Sequence, residues 1–556
     1  MSESQQKQVK QSFIIGSLTS SAGIFLSKAI GLFYVVPFTA IATENNMVFY
    51  TGAYNYYNIL LQISSAGLPY AIAALIAKFA SRNDYKSVLL VRRLSTLILG
   101  ASGLVMMIAF IALSGPLSVS LLGEGATPID LQQMRISFII LSLALFLVPI
   151  LYSYRSFYQG LKDLRVYANS QVIEQMTRVA ALLGLGAFVV YVLHLDRIFA
   201  IYMAVLSTSI GAGIAILYYM HYDKPHYSLI RKIARQQESD SASQSQILKE
   251  LFAFGIPYLV VSILGNSQTL INTHFFISLT TSLGMKYETA KLLYGIIQMQ
   301  CDKLTSIPQV LGIGFSAGIV PYMTIALEKR NMEELQKNVR ECLDTVFYIA
   351  LPICFAMLVL ARPIYYLMYG AANLNYGESA LRWSSFLALA TTITPICSSM
   401  MMTLHFRKAS IFYLFVGFVV KCVTFYPLIR FTGYSGAITS SVLCSVTIIY
   451  LCLAKISNRY QVNYSLTAIR FMKMLLCCLC MNGVFVLLRL VGFNIVENNR
   501  LIALLQMAVY GVLGAGVYFY VSILMKLPQA IFHISSMREF VRRLIKGQLN
   551  RRKRSS

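Results

Sequence analysis

The sequence predicts an all-α polytopic membrane protein of about 14 transmembrane helices, arranged as two pseudo-symmetric six-helix bundles plus two extra C-terminal helices. Three observations predict it. Of 556 residues, 57% are hydrophobic and 12% charged, with a mean hydropathy of +0.64, well beyond the roughly 45–50% apolar share of a soluble domain. Apolar stretches of spanning length, about 20 residues, recur from one end of the chain to the other. Lysine and arginine gather in every second connection, as they do on the cytoplasmic side of a membrane.

Taken in order, the spans fall near 12–40, 53–77, 88–113, 135–159, 167–192, 197–221, 250–280, 290–326, 340–362, 379–403, 409–431, 434–456, 471–491 and 501–526. The polar start, residues 2–10, leads into an apolar stretch too long for the core of a cleavable signal, with no small-residue cleavage site. The first span is therefore expected to stay. The basic connections carry Lys7 and Lys10; Lys78, Arg82, Lys86, Arg92 and Arg93; Lys162 and Arg165; Lys224, Arg231, Lys232 and Arg235; Lys329, Arg330, Lys337 and Arg340; Arg407 and Lys408; and Lys455, Arg459 and Arg470. Those between them hold few cations, for example Glu44, Asn45 and Asn46, or Asn373, Asn375 and Glu378. Both termini are expected in the cytoplasm of a bacterial cell, with the chain a multi-pass protein of its membrane.

This pattern also accounts for the net charge of +25, so no nucleic-acid partner is expected. In the tail, Arg538, Arg542, Arg543 and Lys546 recur at helical spacing before Arg551, Arg552, Lys553 and Arg554. It acts either as a solvated topology determinant or as a site for anionic lipid. All 10 Cys lie at or after Cys301, and Cys477 and Cys480 form a Cys-x-x-Cys only inside an apolar helix. With six scattered His, they read as reduced small hydrophobes; no metal or cofactor is expected.

The organisation is a duplication. Arg82-Asn83, then seven residues, then Val91-Arg92 recurs as Arg330-Asn331, seven residues and Val339-Arg340. The segment 65–70 recurs at 316–322, Pro116 to Gly123 at Pro363 to Gly370, and Pro149 at Pro395. The expected division is 1–222 for the first bundle, 223–249 for a cytoplasmic linker, 250–457 for the second bundle, 458–527 for the two extra helices and 528–556 for the basic tail. Copies of like orientation relate by an axis along the membrane normal, an architecture of transporters that bind substrate between their halves.

Charges stranded in apolar segments point to such a site. Residues 11–43 carry one charge, Lys28, and 292–327 carry only Asp302 and Lys303. A charge at the centre of a membrane helix costs roughly 2.5–3.5 kcal/mol on insertion scales, so it usually faces a polar interior. Polar stripes are the second pointer. Asn55, Asn58, Gln62 and Ser65 share one helical face, as do Gln171, Glu174, Gln175 and Arg178. Glu174 and Arg178, spaced i,i+4, are placed to pair. Each stripe reads either as cavity lining or as a contact between helices. Pro37, Gly67, Pro69, Pro257, Pro308, Gly318 and Pro321 mark candidate hinges, since interrupted helices are tolerated where they line a cavity.

Ser27-Lys28-Ala29-Ile30-Gly31, then Asp302-Lys303-Leu304 with Pro308 and Leu311-Gly312, on a two-times-six-plus-two layout, resemble the lipid II flippases of the MurJ and YtgP type, in the multidrug/oligosaccharidyl-lipid/polysaccharide (MOP) exporter superfamily. The resemblance implies a transporter, not an enzyme, with Lys28 and Lys303 holding a lipid-linked pyrophosphate in a central cavity. Tyr34, Val35, Leu61 and Ala66 stand where Gram-negative members carry charged residues, placing the chain closer to the Gram-positive branch. Where some relatives bind sodium through Asn-x-x-x-Asp, this chain has Gly417 and Lys421; Lys421 either adds charge to the cavity or stabilises the second half internally. The expected partners are a lipid-linked saccharide, lipid II foremost, membrane lipids and cell-wall synthesis enzymes, with the chain acting as a monomer. A flippase for a capsule or teichoic acid precursor and a multidrug/cation antiporter stay open beside it.

Overall fold

Helices begin here where a side chain takes over backbone N–H groups that the first turn leaves without partners. Asp84 accepts from the N–H of Ser87, Thr127 from Asp130, Asp163 from Val166, Asn331 from Glu334 and Asn499 from Leu501 and Ile502. In the computed structural model the described residues are 31, 34–65, 67–123, 125–161, 163–237, 242–310, 323, 326–327, 330–495, 497 and 499–532. Lys28, Gly318, Pro321 and the tail 533–556 lie outside them. The described elements are helical, and ten are long and apolar enough to cross a membrane.

The chain divides into two compact units, Met1–Gln300 with Ile429–Ala437, and Cys301–Leu428 with Ile438–Ser556. In unit 1 the helices run α1 (Val35–Ala42), α2 (Met47–Ser65), α3 (Leu68–Ser81), α4 (Tyr85–Leu122), α5 (Pro128–Gly160), α6 (Leu164–Ala187), α7 (Ile198–Gln236), α8 (Gln244–Gly265), α9 (Ser267–Ser282) and α10 (Tyr287–Gly295). Unit 2 holds α11 (Met332–Val359), α12 (Ala361–Tyr369), α13 (Leu374–Thr403), α14 (Arg407–Thr432), α15 (Ser435–Tyr460), α16 (Ser465–Leu490), α17 (Arg500–Leu524) and α18 (Leu527–Phe532), the turn joining α14 and α15 excepted.

The long spans appear where hydropathy places them, but several expected single helices are broken. The stretch 53–77 is α2 and α3, parted at Gly67, whose φ of 70° is left-handed, a conformation glycine takes without penalty. The stretch 250–280 is α8 and α9, parted at Asn266. The stretch 290–326 opens with α10 and a π-helical turn, Ile296–Cys301, and the boundary between the units falls inside that turn. At the other extreme, α7 runs on to Gln236, so the connecting segment after 222 starts as helix. Its end docks on the start of α4: the Gln237 amide donates to Asp84 and the Ala242 N–H to Ser87.

In unit 1 glycines allow close helix approaches: a Cβ on Gly103 would meet the Leu145 carbonyl of α5 at 2.6 Å. Unit 2 has its core where α16 and α17 pack on α11, around Tyr348, Leu351, Met474, Met481, Phe485 and Tyr518. Polar ties fix that packing. Arg470 of α16 is paired with Asp344 of α11, the Tyr518 hydroxyl donates to the Tyr348 carbonyl at 2.9 Å, and Arg362 bridges Glu378 and Glu497. All ten cysteines are free thiols.

Candidate functional site

The polar stripe on α2 faces other helices of its own unit. Asn55 donates to the Tyr294 hydroxyl of α10 at 3.0 Å. The Gln62 carbonyl accepts from Ser262 of α8 at 2.8 Å and from the Asn266 amide at 3.0 Å. Ser65 turns back to the Leu61 carbonyl, and Asn58 is exposed. Asn55 and Gln62 therefore make interhelical contacts, and Gln62 also lines a cavity.

On α6 the pairing differs from the sequence expectation. Glu174 does not join Arg178 one turn away; it bonds Arg155 of α5 at 2.6 Å. The Arg178 guanidinium lies instead over the Tyr54 ring, 5.2 Å from its centre. The cause is geometric. Arg155 enters from α5, and its Nε donates to Ser170 at 3.1 Å, which aims the guanidinium at the carboxylate one turn further along α6.

Arg155 opens onto a cavity of about 580 Å³ inside unit 1, within the ~300–1,000 Å³ of pockets that take small organic ligands. One wall is the α2–α3 junction, with Gln62, Ser65, Gly67 and Pro69; another is the last turns of α5, with Tyr152, Arg155, Ser156 and Gln159; Tyr167 and Gln171 of α6 and Val261 and Ser262 of α8 complete it. Gln171 donates to the Tyr167 hydroxyl at 3.0 Å. The lining is rich in amides and hydroxyls, with one guanidinium, itself only 8% exposed. Arg155, Gln159 and Tyr167 did not stand out in the sequence. The signal was there for Arg155, a cation near the end of the apolar stretch 135–159, where it reads as an ordinary basic flank.

Of the hinge candidates, Gly67 and Pro69 sit at a real helix break on the cavity wall. Pro37 occupies the first turn of α1, where its missing N–H costs nothing. The helical path continues across Pro257 in α8 and across Pro308.

In unit 2, Asp302 is exposed and Lys303 half-buried on the helical stretch 302–310. Lys421 of α14 is fully buried. Its ammonium donates to Ser440 and Ser441 of α15 at 2.8 Å each and lies 4.7 Å from the Phe425 ring centre, so it ties α14 to α15. Among the described residues no group of His, Cys, Asp and Glu is placed to hold a metal.

The sequence profile of the polysaccharide biosynthesis protein family matches residues 14–327, more than half of the chain. The chain belongs to that family, within the MOP exporter superfamily. A second profile, MatE, matches residues 301–426 of this family member. It is 24% identical to the lipid II flippase MurJ of Bacillus subtilis (strain 168) over 514 residues, covering 91% of this chain and 94% of that protein. It is 20% identical to stage V sporulation protein B of the same organism, over 66% of this chain and 68% of the other. Among solved structures, its fold matches a lipid II flippase MurJ in an inward closed conformation at a TM-score of 0.67 and 14% identity, over 92% of this chain and 99% of that one. An inward-facing multidrug resistance transporter of the MATE family, MOP superfamily, matches at 0.58 and 17% identity, over 79% and 95%.

Proposed function

We propose that the protein flips lipid II, the undecaprenyl-pyrophosphate-linked peptidoglycan precursor, from the inner to the outer leaflet of the bacterial cytoplasmic membrane by alternating access. The carrying observation is the end-to-end likeness to the Bacillus subtilis lipid II flippase MurJ, 91% of this chain against 94% of that one. It is supported by the lysines stranded in apolar segments, Lys28 and Lys303. In this reading the two ammonium groups hold the diphosphate, because a charge kept at membrane depth needs a polar or ionic partner there. Asp302, beside Lys303 on the chain, limits the local positive charge. Both termini are cytoplasmic, Lys421 acts as an internal tie in unit 2, and Gly67 and Pro69 serve as the flexible joint of the cavity wall.

The test is the appearance of lipid II in the outer leaflet, compared between wild type, Lys28→Ala and Lys303→Ala at matched expression. Each substitution is expected to lower flipping at least about tenfold, the equivalent of one charge-assisted contact. Undiminished flipping in both variants ends the proposal. The MatE match over 301–426 favours a second reading, a multidrug/cation antiporter. Rescue of a strain depleted of its lipid II flippase selects the first; cationic-dye efflux that disappears in Asp302→Asn, without rescue, selects the second.

A further inference from the structure

The guanidinium on the wall of the unit-1 cavity brings no net charge to it. Arg155 is bound through Nη2 to Glu174 and through Nε to Ser170, and the other lining groups are neutral. Gln62 spends its carbonyl on Ser262 and Asn266, which leaves its NH2 for the cavity. Gln159 makes no side-chain hydrogen bond among the described residues and offers both an amide donor and an acceptor. Gln171, held by Tyr167, adds a second amide, and the rings of Tyr152 and Tyr167 add apolar faces.

We propose that this cavity recognises the uncharged, hydroxyl- and amide-bearing part of a lipid-linked saccharide, and that Glu174 sets this preference by neutralising Arg155 and so turning away small phosphate anions. The inference rests on the flippase reading for the identity of the lipid. A sugar hydroxyl both donates and accepts, and a primary amide is the side chain that answers both roles from one position. The apolar face of a sugar ring needs a flat apolar surface, which the tyrosines supply. A phosphate anion entering this site meets a guanidinium whose charge is already spent, beside a carboxylate that repels it. Dislodging Glu174 would leave its half-buried carboxylate without the partner that compensates it. Charge capture is thereby assigned to other cations of the protein, and selectivity for the sugar to this cavity.

The test uses the full-length protein in lipid nanodiscs and two lipid probes, a polyprenyl diphosphate and the same lipid carrying an N-acetylhexosamine, with inorganic pyrophosphate as a third, lipid-free ligand. Wild type is expected to bind the sugar-bearing probe at least about tenfold more tightly, equivalent to one or two good hydrogen bonds. Gln159→Ala and Gln171→Ala are expected to bring the ratio to within about twofold by weakening only the sugar-bearing probe. Glu174→Gln, which keeps a hydrogen-bonding partner for Arg155 but removes its counter-charge, is expected to raise the affinity for inorganic pyrophosphate about tenfold. Comparison is made among variants whose thermal midpoints match wild type. Equal binding of the two probes by wild type overturns the proposal and leaves the flippase reading standing, as does an unchanged ratio in both glutamine variants. Failure of wild type to bind either probe overturns the flippase reading and this inference with it.

Discussion

At the scale of single residues, the chain places unusual chemistry where the backbone needs it. Gly67 is left-handed at the α2–α3 break, a region that costs an ordinary L-residue roughly 1–2 kcal/mol. Gly67→Ala should therefore lower the thermal midpoint by that amount of stability while leaving the helical signal of the protein intact; an unchanged midpoint would show that the break tolerates a side chain. Asp84 caps α4. Partial burial pushes its carboxyl upward, but hydrogen bonds from Ser87 and Gln237 outweigh this and hold it below the usual carboxylate range. A depressed carboxylate stabilises the fold above its unfolded-state pKa of about 3.9, and the contribution fades as pH falls through the folded value. Asp84→Ala should cost about 1 kcal/mol at neutral pH, with the gap from wild type closing below about pH 4, as followed by pH-dependent unfolding in detergent. Some of this is legible in the sequence, where Gly67 with Pro69 marks a candidate hinge. The partner of Glu174 is not, because spacing along one helix identifies only neighbours on that helix, and Arg155 comes from another.

Among elements, apolar length predicted the long helices well and their interruptions poorly. The stretch 53–77 is polar-rich before Gly67, with Asn55, Asn58 and Gln62, and apolar after it, and Asn266 lies in the polar run Gly265–Gln268, but such dips mark a break no more surely than a polar helix face does, and nothing in hydropathy marks the π-helical turn at Ile296–Cys301. Breaks depend on which side chain or neighbouring helix satisfies the freed backbone groups, and that is a property of the packed molecule. The attachment of α16 to α11 is of the same kind. Asp344 has no exposed surface, and its charge is met by Arg470. Removing one member of a buried pair costs about 3–5 kcal/mol because the other is left uncompensated. Arg470→Ala should accordingly be far more destabilising than the double variant Arg470→Met, Asp344→Leu, as measured by thermal unfolding. Equal losses would mean that the pair contributes through packing alone.

For the whole molecule, composition was sufficient to predict a helical membrane protein, and the motifs around Lys28 and Lys303 led to the exporter superfamily that the family match supports. The cavity in unit 1 is only partly readable in the sequence, through Gln62, Ser65, Gly67, Pro69 and Gln171, because its walls come from four separate stretches of chain. If lipid II is the cargo, its negative charge should let the membrane potential assist transport: one charge crossing the full field is worth about 2.3 kcal/mol per 100 mV. Flipping in vesicles should slow severalfold when an inside-negative potential is collapsed with an ionophore, and an unaltered rate would remove this source of drive.

The distribution of sulfur has a practical corollary. The first 300 residues contain no cysteine, and of the ten thiols further along only Cys422 and Cys480 are exposed. Replacing those two by serine should leave a chain almost silent to maleimide reagents. A reporter coupled to a cysteine introduced at Gln159 would then watch the unit-1 cavity against a dark background.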